Sequence, residues 1–219
     1  MIPIMKQFLK NAPWKRLVWA IWLPIYVAVY FIVEGFIPAD QSGLWYTQFA
    51  FEQNIPFCAP MIVFYISWFA LIFGVGLNLW YFHEAAFKRY MITLAVCFYL
   101  CVVIWLIVPN ACDLRREADL AGSDIFTFLV GAIRRADTPT NVFPSEHVIG
   151  ALAAILGYID CGRFRRHKRR GILMCVWAGL IIVSTVLVKQ HALIDLPAGA
   201  LLTLLVAAFI YRRRLKEKA

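Results

Sequence analysis

Six runs of apolar residues recur along the chain, near 17–37, 58–81, 91–108, 146–161, 171–188 and 193–211, divided by short polar connections. They are continuous rather than alternating. A helix needs roughly 20 apolar residues to cross roughly 30 Å of hydrocarbon, whereas barrel strands read as short alternating segments. The pattern therefore predicts membrane-spanning helices. The fourth run, "EHVIGALAAILGYIDC", is short and opens on polar residues, so it can span only if that end is enclosed by protein. The first run lacks a small-residue cleavage site and reads as a retained span. A further stretch, "SDIFTFLVGAIRR", has an apolar face and Ser123 as an N-cap but is too short to cross. It predicts a helix lying along the membrane surface, where it shapes a lipid entrance. The expected fold class is all-α: a polytopic six-transmembrane-helix bundle with a short outer amphipathic helix, forming a single domain over residues 1–219.

Composition agrees, since 219 residues at 62% hydrophobic and 16% aromatic exceed what one soluble core can hold. The basic residues then orient the spans, because Lys and Arg near span ends are biased to the cytoplasm. Seventeen of the 22 fall before the first span, after the second, after the fourth in "RFRRHKRR", and in the C-terminal "RRRLKEK". Both termini are thus expected in the cytoplasm. The remaining five, Arg115, Arg116, Arg134, Arg135 and Lys189, lie on the outer side. The net charge of +9 reads as topology plus attraction to anionic lipid head groups, with no nucleic-acid partner implied. Trp14, Trp45, Tyr46, Trp80 and Tyr81 near span ends read as interface anchors. Of the six cysteines, Cys97 and Cys101 read as packing residues, and pairing of Cys58 with Cys112 at the outer rim is left open.

The outer rim collects the unusual polar segments "VPNACDLRREAD", "DTPTNVFPSEHV" and "STVLVKQHALIDLPAG". His147 opens the fourth span, Lys189 closes the fifth, and His191 and Asp195 open the sixth. Four residues apart, His191 and Asp195 would share a helical face, where the carboxylate can hold the imidazole in one tautomer. Two histidines, a carboxylate and nearby cations suit phosphoryl transfer. One imidazole attacks phosphorus, another protonates the leaving alkoxide, and cations balance the phosphoryl oxygens. The helix N-terminus at Pro144 and Ser145 offers free N–H groups to an anion. No metal or other cofactor is required, and no metal-ligand motif of known spacing occurs. Against this stand plainer readings: His191 and Asp195 as a structural polar pair, Lys189, Arg115 and Arg116 as snorkelling cations, Arg134 and Arg135 as a solvated face, and His83 and His167 as surface residues.

These residues resemble the type 2 phosphatidic acid phosphatase superfamily of membrane lipid phosphatases and phosphotransferases. Pro144, Ser145, Glu146 and His147 are similar to its Pro-Ser-Gly-His motif. Ser184, Thr185, His191 and Asp195 keep the spacing of its Ser-Arg, five residues, His, three residues, Asp motif. "PNACDLRRE" is faintly similar to its first motif, making Arg115 or Arg116 the candidate arginine. The resemblance covers about residues 105–200. It implies His191 as nucleophile, Asp195 as its orienter and His147 as general acid, with Ser145, Lys189, Arg115, Arg116 and Ser184 binding substrate. The departures fall on phosphate-binding positions: Thr185 replaces an arginine and Glu146 a glycine, while Lys189 can restore some charge. The string from Ser184 to Asp195 also resembles the inositol phosphorylceramide synthase-like branch. The implied activity is hydrolysis of a lipid phosphate at an outward-facing site. Alternatives are transfer of a phospho-head-group to a lipid alcohol, or lipid carriage without catalysis. The implied partner is a membrane lipid phosphate; oligomeric state is open.

Overall fold

The computed structural model describes residues 12–37 and 42–212. Lys6, Lys10 and the basic residues beyond Arg212 lie outside the described residues. A 3-10 segment, Trp14–Ala20, leads into α1 (Trp22–Glu34). It is followed by α2 (Ile62–Phe82), α3 (Glu84–Ile107), α4 (Ile125–Ala136), α5 (Glu146–Asp160), α6 (Arg163–Arg166), α7 (Lys168–Leu187) and α8 (Asp195–Ile210). The protein is mostly helical, and each apolar run of the sequence became a helix.

Four helices among the described residues are long and apolar enough to cross a membrane: Trp14–Glu34, Ala59–Phe82, Glu84–Ile107 and Lys168–Leu187. Helix α8 is apolar but has only 16 residues. Helix α5 has 15, about 22 Å at 1.5 Å per residue. Its position explains why so short a helix is tolerated. It packs against α2, α3, α7 and α8 together, so protein rather than lipid surrounds it. Its buried face is built from Val148, Ile149, Gly150, Ala151, Ala153, Ala154 and Gly157. Small residues let the neighbouring backbones approach closely. At Gly150 a Cβ would lie 2.5 Å from Trp68 Nε1, so the indole occupies the space that any side chain would need. The outer helices carry the exposed apolar surface, for example Ile25 and Phe31 on α1 and Leu173 and Val176 on α7.

The connections sort to two ends. At one end β1 (Trp45–Tyr46) pairs in parallel with β2 (Asn110–Ala111). Ala111 also bridges Thr140 in antiparallel fashion. The loops after α1, α3 and α4 are thereby woven together. The opposite end carries ion pairs from Arg16 to Glu84 at 3.0 Å and from Arg89 to Asp160 at 2.7 Å. The expected surface helix is α4, but its N-cap is Asp124 rather than Ser123. The Asp124 carboxylate accepts from Phe126 N at 2.9 Å and Thr127 N at 3.1 Å, satisfying two amides that have no helical partner. Bonds from Thr127, hydroxyl first and amide second, hold the Asp124 carboxyl below its ordinary value.

Candidate active site

The end of α7 decides where His191 goes. Gln190 N donates to Thr185 O at 2.9 Å and Lys189 N to Val186 O at 3.1 Å, the paired bonds of a Schellman cap. The residue that turns left-handed there is Lys189, with φ of 61°, where glycine is usual. Its side chain supplies an anchor that glycine lacks. Lys189 Nζ donates to the carbonyls of Ile55 at 2.6 Å and Glu52 at 3.2 Å. Glu52 is fully buried and returns the contact, its Oε2 accepting from Leu193 N at 2.8 Å. The loop over residues 49–58 thus clamps the turn between α7 and α8. Burial pushes the Lys189 ammonium below its ordinary pKa.

His191 Nδ1 meets Asp195 Oδ2 at 3.2 Å. The expected pairing is present, but not on a helical face. Asp195 is the first residue of α8, and residues 191–194 form a turn. The same Oδ2 accepts from Ala192 N at 2.9 Å, which fixes the carboxylate against the turn. With Nδ1 donating to a carboxylate, the Nε2 lone pair is left available.

His147 lies in the first turn of α5. Its ring is flanked by Tyr65 and Trp68, with centroid distances of 4.2 and 4.8 Å, and Trp68 Nε1 donates to His147 O at 3.0 Å. The rings of His147 and His191 are 5.6 Å apart. Both line a cavity of about 70 Å³ together with Tyr30, Trp105, Asp137, Glu146 and Gln190, among others.

Three carboxylates organise the surroundings. Glu146 accepts from Tyr26 Oη. Asp137 accepts from Tyr30 and Tyr65 at 3.3 and 3.2 Å. Glu34, at the end of α1, accepts from Thr138 and Thr140 and from Asn141 Nδ2 at 2.8 Å. Asn110 is fully buried; its Oδ1 accepts from Phe143 N at 2.8 Å, while Trp105 Nε1 donates to Phe143 O at 2.9 Å. These bonds place the Phe143-Pro144 turn, a cis peptide, directly ahead of α5.

The residues singled out from the sequence divide into two groups. His147, His191, Asp195 and Glu146 meet at or beside the cavity. Arg115 reaches it indirectly, donating to Gln190 Oε1, to Asp137 O at 2.7 Å and to Thr138 O at 3.0 Å; burial lowers its pKa. Arg116 is turned away toward Gln53 O at 3.0 Å, and Arg134 pairs with Asp119 at 2.8 Å. Ser184 and Thr185 hydroxyls donate back to Ile181 O and Ile182 O at 2.6 and 2.8 Å. Ser145 is fully buried, with an Oγ that has no partner among the described residues, and its N donates to Asp195 O at 3.1 Å. Cys58 and Cys112 are both free thiols, and burial pushes Cys112 up to about 12. Asp137, Gln190, Glu52 and the three tyrosines were not singled out from the sequence. The only local signal was the position of Gln190 within "KQH" and of Asp137 at the head of "DTPTNVFPSEHV".

An apolar helical bundle with a His–Asp pair and a second histidine beside one small cavity at its polar end defines a membrane-type protein with a candidate site. Residues 117–219 match the family model of the PAP2 superfamily. That segment, which contains His147, His191 and Asp195, is similar to the PAP2 superfamily, in agreement with the resemblance to type 2 phosphatidic acid phosphatases; Arg115 and Arg116 lie just outside it. No curated protein matches the chain, and no solved structure does. Members of that superfamily are typically phosphoester hydrolases or phosphotransferases.

Proposed function

We propose that this protein is a membrane-embedded phosphohydrolase that cleaves a lipid phosphate monoester or diphosphate through a phosphohistidine. The observation that carries the reading is the His191–Asp195 contact at 3.2 Å beside His147, 5.6 Å away ring to ring across one small cavity. His191 Nε2 forms the N–P bond while the P–O bond to the lipid breaks, and His147 gives its proton to the leaving oxygen. Water then attacks phosphorus, the P–N bond breaks, and His147 takes up the proton that water releases. Phosphate leaves and both histidines return to their starting state. General acid help of this kind is worth roughly 10²–10⁴-fold. The free amides of the first turn of α5 supply donors for an anion. Ser145, Ser184, Lys189, Arg115 and Arg116 remain substrate-binding candidates, Arg115 one contact away from the cavity through Gln190. The six-span topology, cytoplasmic termini and an outward-facing site complete the proposal; a cysteine placed near Gly122 should be labelled from the non-cytoplasmic side.

A second reading, transfer to a lipid alcohol, draws on Asp137 and Glu146, which line the cavity and can accept a hydroxyl proton. The test is purified protein given labelled lipid phosphate, with and without alcohol acceptors. Hydrolysis puts the label in free phosphate at a rate insensitive to acceptor, and the activity survives EDTA. Label appearing mainly in a new lipid favours transfer, and no turnover on any lipid phosphate favours a carrier.

A further inference from the structure

The residue beside the nucleophile carries a donor with nothing to bind. Gln190 is 2% exposed and lines the same cavity as His191 and His147. Its Oε1 accepts from Arg115, while its Nε2 has no partner among the described residues. The amide cannot be reversed, because a guanidinium offers only donors and must face the carbonyl oxygen. Arg115 is itself fixed by the carbonyls of Asp137 and Thr138, at 2.7 and 3.0 Å. The backbone under the amide is equally constrained, since Gln190 N and His191 N both donate to Thr185 O, at 2.9 and 3.2 Å. The NH₂ group is therefore preorganised and buried, and a buried amide lacking an acceptor is costly unless a ligand brings one.

Among the described residues no Lys or Arg lines the cavity. The anion that the proposed reaction brings to His191 must be met by neutral donors or by charge acting through them. We infer that Gln190 Nε2 donates a hydrogen bond to a non-bridging oxygen of the phosphoryl group at His191, and that Arg115 acts through Gln190 as a positioning residue. The guanidinium orients the amide and polarises it, so its N–H is a stronger donor than a solvated amide. A neutral donor also tolerates Asp137 and Glu146 on the same wall, where a bare cation would pair with them. This inference rests on the phosphoryl-transfer reading of the site and adds a residue outside the motifs that suggested that reading.

The test uses the full-length protein in detergent with two readouts, turnover of a lipid phosphate and the rise in melting midpoint caused by inorganic orthovanadate, a phosphoryl mimic. Gln190→Leu removes the donor, and Gln190→Glu keeps the shape and the partner for Arg115 but replaces the donor with an acceptor. Both variants should lower kcat by on the order of 10²–10³-fold, as removal of a single oxyanion donor does, and abolish the vanadate shift. Arg115→Ala should cost less. Combining it with Gln190→Leu should add nothing to Gln190→Leu alone, which a merely structural role for either residue would not produce. If Gln190→Leu is unstable, Gln190→Glu alone decides. Wild-type turnover and vanadate shift retained in Gln190→Glu overturn the inference, and additive losses overturn the relay through Arg115. Absence of turnover in the wild type itself counts against the hydrolase reading, while its vanadate shift, lost in Gln190→Glu, would still support the donor.

Discussion

Ser145 N donates to the main-chain oxygen of Asp195 at 3.1 Å, so the N-cap of the helix carrying His147 is joined to the first residue of the helix that Asp195 opens. The two halves of the candidate site are thereby held at one spacing by the backbone itself. Gly199, one turn into α8, permits the approach: a Cβ there would lie 2.6 Å from Ser145 O and 3.2 Å from Val148 Cβ.

Gly199→Ala should therefore push α8 away from α5. Because the obstructing atom is backbone, relief requires moving a helix, and overpacking of this kind costs about 1–3 kcal/mol. We expect a lower melting midpoint and at least a tenfold loss of turnover, with Gly179→Ala, which meets nothing within 4 Å among the described residues, as the benign control. An unchanged midpoint in Gly199→Ala would show that the helices can separate freely.

Trp68 serves His147 in two ways, and substitution separates them. Trp68→Phe keeps a ring against the imidazole and removes only the N–H bonded to His147 O at 3.0 Å, for about 1 kcal/mol. Trp68→Ala also removes the stacked ring at 4.8 Å and opens a cavity beside Gly150, for about 3–5 kcal/mol. Chemical denaturation should rank them wild type, Phe, Ala. Equal losses for the two variants would assign the whole effect to the hydrogen bond.

The clamp behind His191 predicts a stability effect at a residue remote in sequence. Glu52→Ala leaves Leu193 N without its 2.8 Å acceptor and removes the buried carboxylate beside Lys189. The expected cost is about 1–3 kcal/mol, together with faster hydrogen exchange over residues 188–194. Exchange indistinguishable from wild type would mean that the Schellman cap alone holds the turn.

Proposed roles for the reactive residues lead to different kinetic signatures. His191→Ala should yield no acid-labile phosphoenzyme, and Asp195→Asn should fold yet lose on the order of 10⁴ in kcat, as when a histidine is left in the wrong tautomer. His147→Ala should hurt substrates with poor leaving groups most, because good ones need no proton. Near-normal turnover in His191→Ala would remove it as nucleophile.

Much of the fold was legible because its cause is local. A continuous apolar run commits its own backbone to a helix wherever it lies, since buried backbone groups must be satisfied within the segment, so all six runs became helices. The His191–Asp195 pair was legible for a similar reason, as four residues separate them in any compact conformation. Its geometry was not: a turn rather than a helix joins them, and that turn depends on Glu52, far away in the chain. The N-cap of α4 fell on Asp124 because the choice between adjacent capping residues depends on the entry path of the chain.

By itself the sequence determined which segments are helical and apolar, and which residue types gather at the polar end. Only the tertiary structure decided that Arg115 reaches the cavity through Gln190 while Arg116 bonds Gln53 and Lys189 bonds the 49–58 loop. The same holds for Asp137 and Glu146 being held by tyrosines from α1 and α2. A long polar side chain can reach many partners. Which one it meets depends on how the helices carrying the alternatives pack, and that information is spread over the whole bundle.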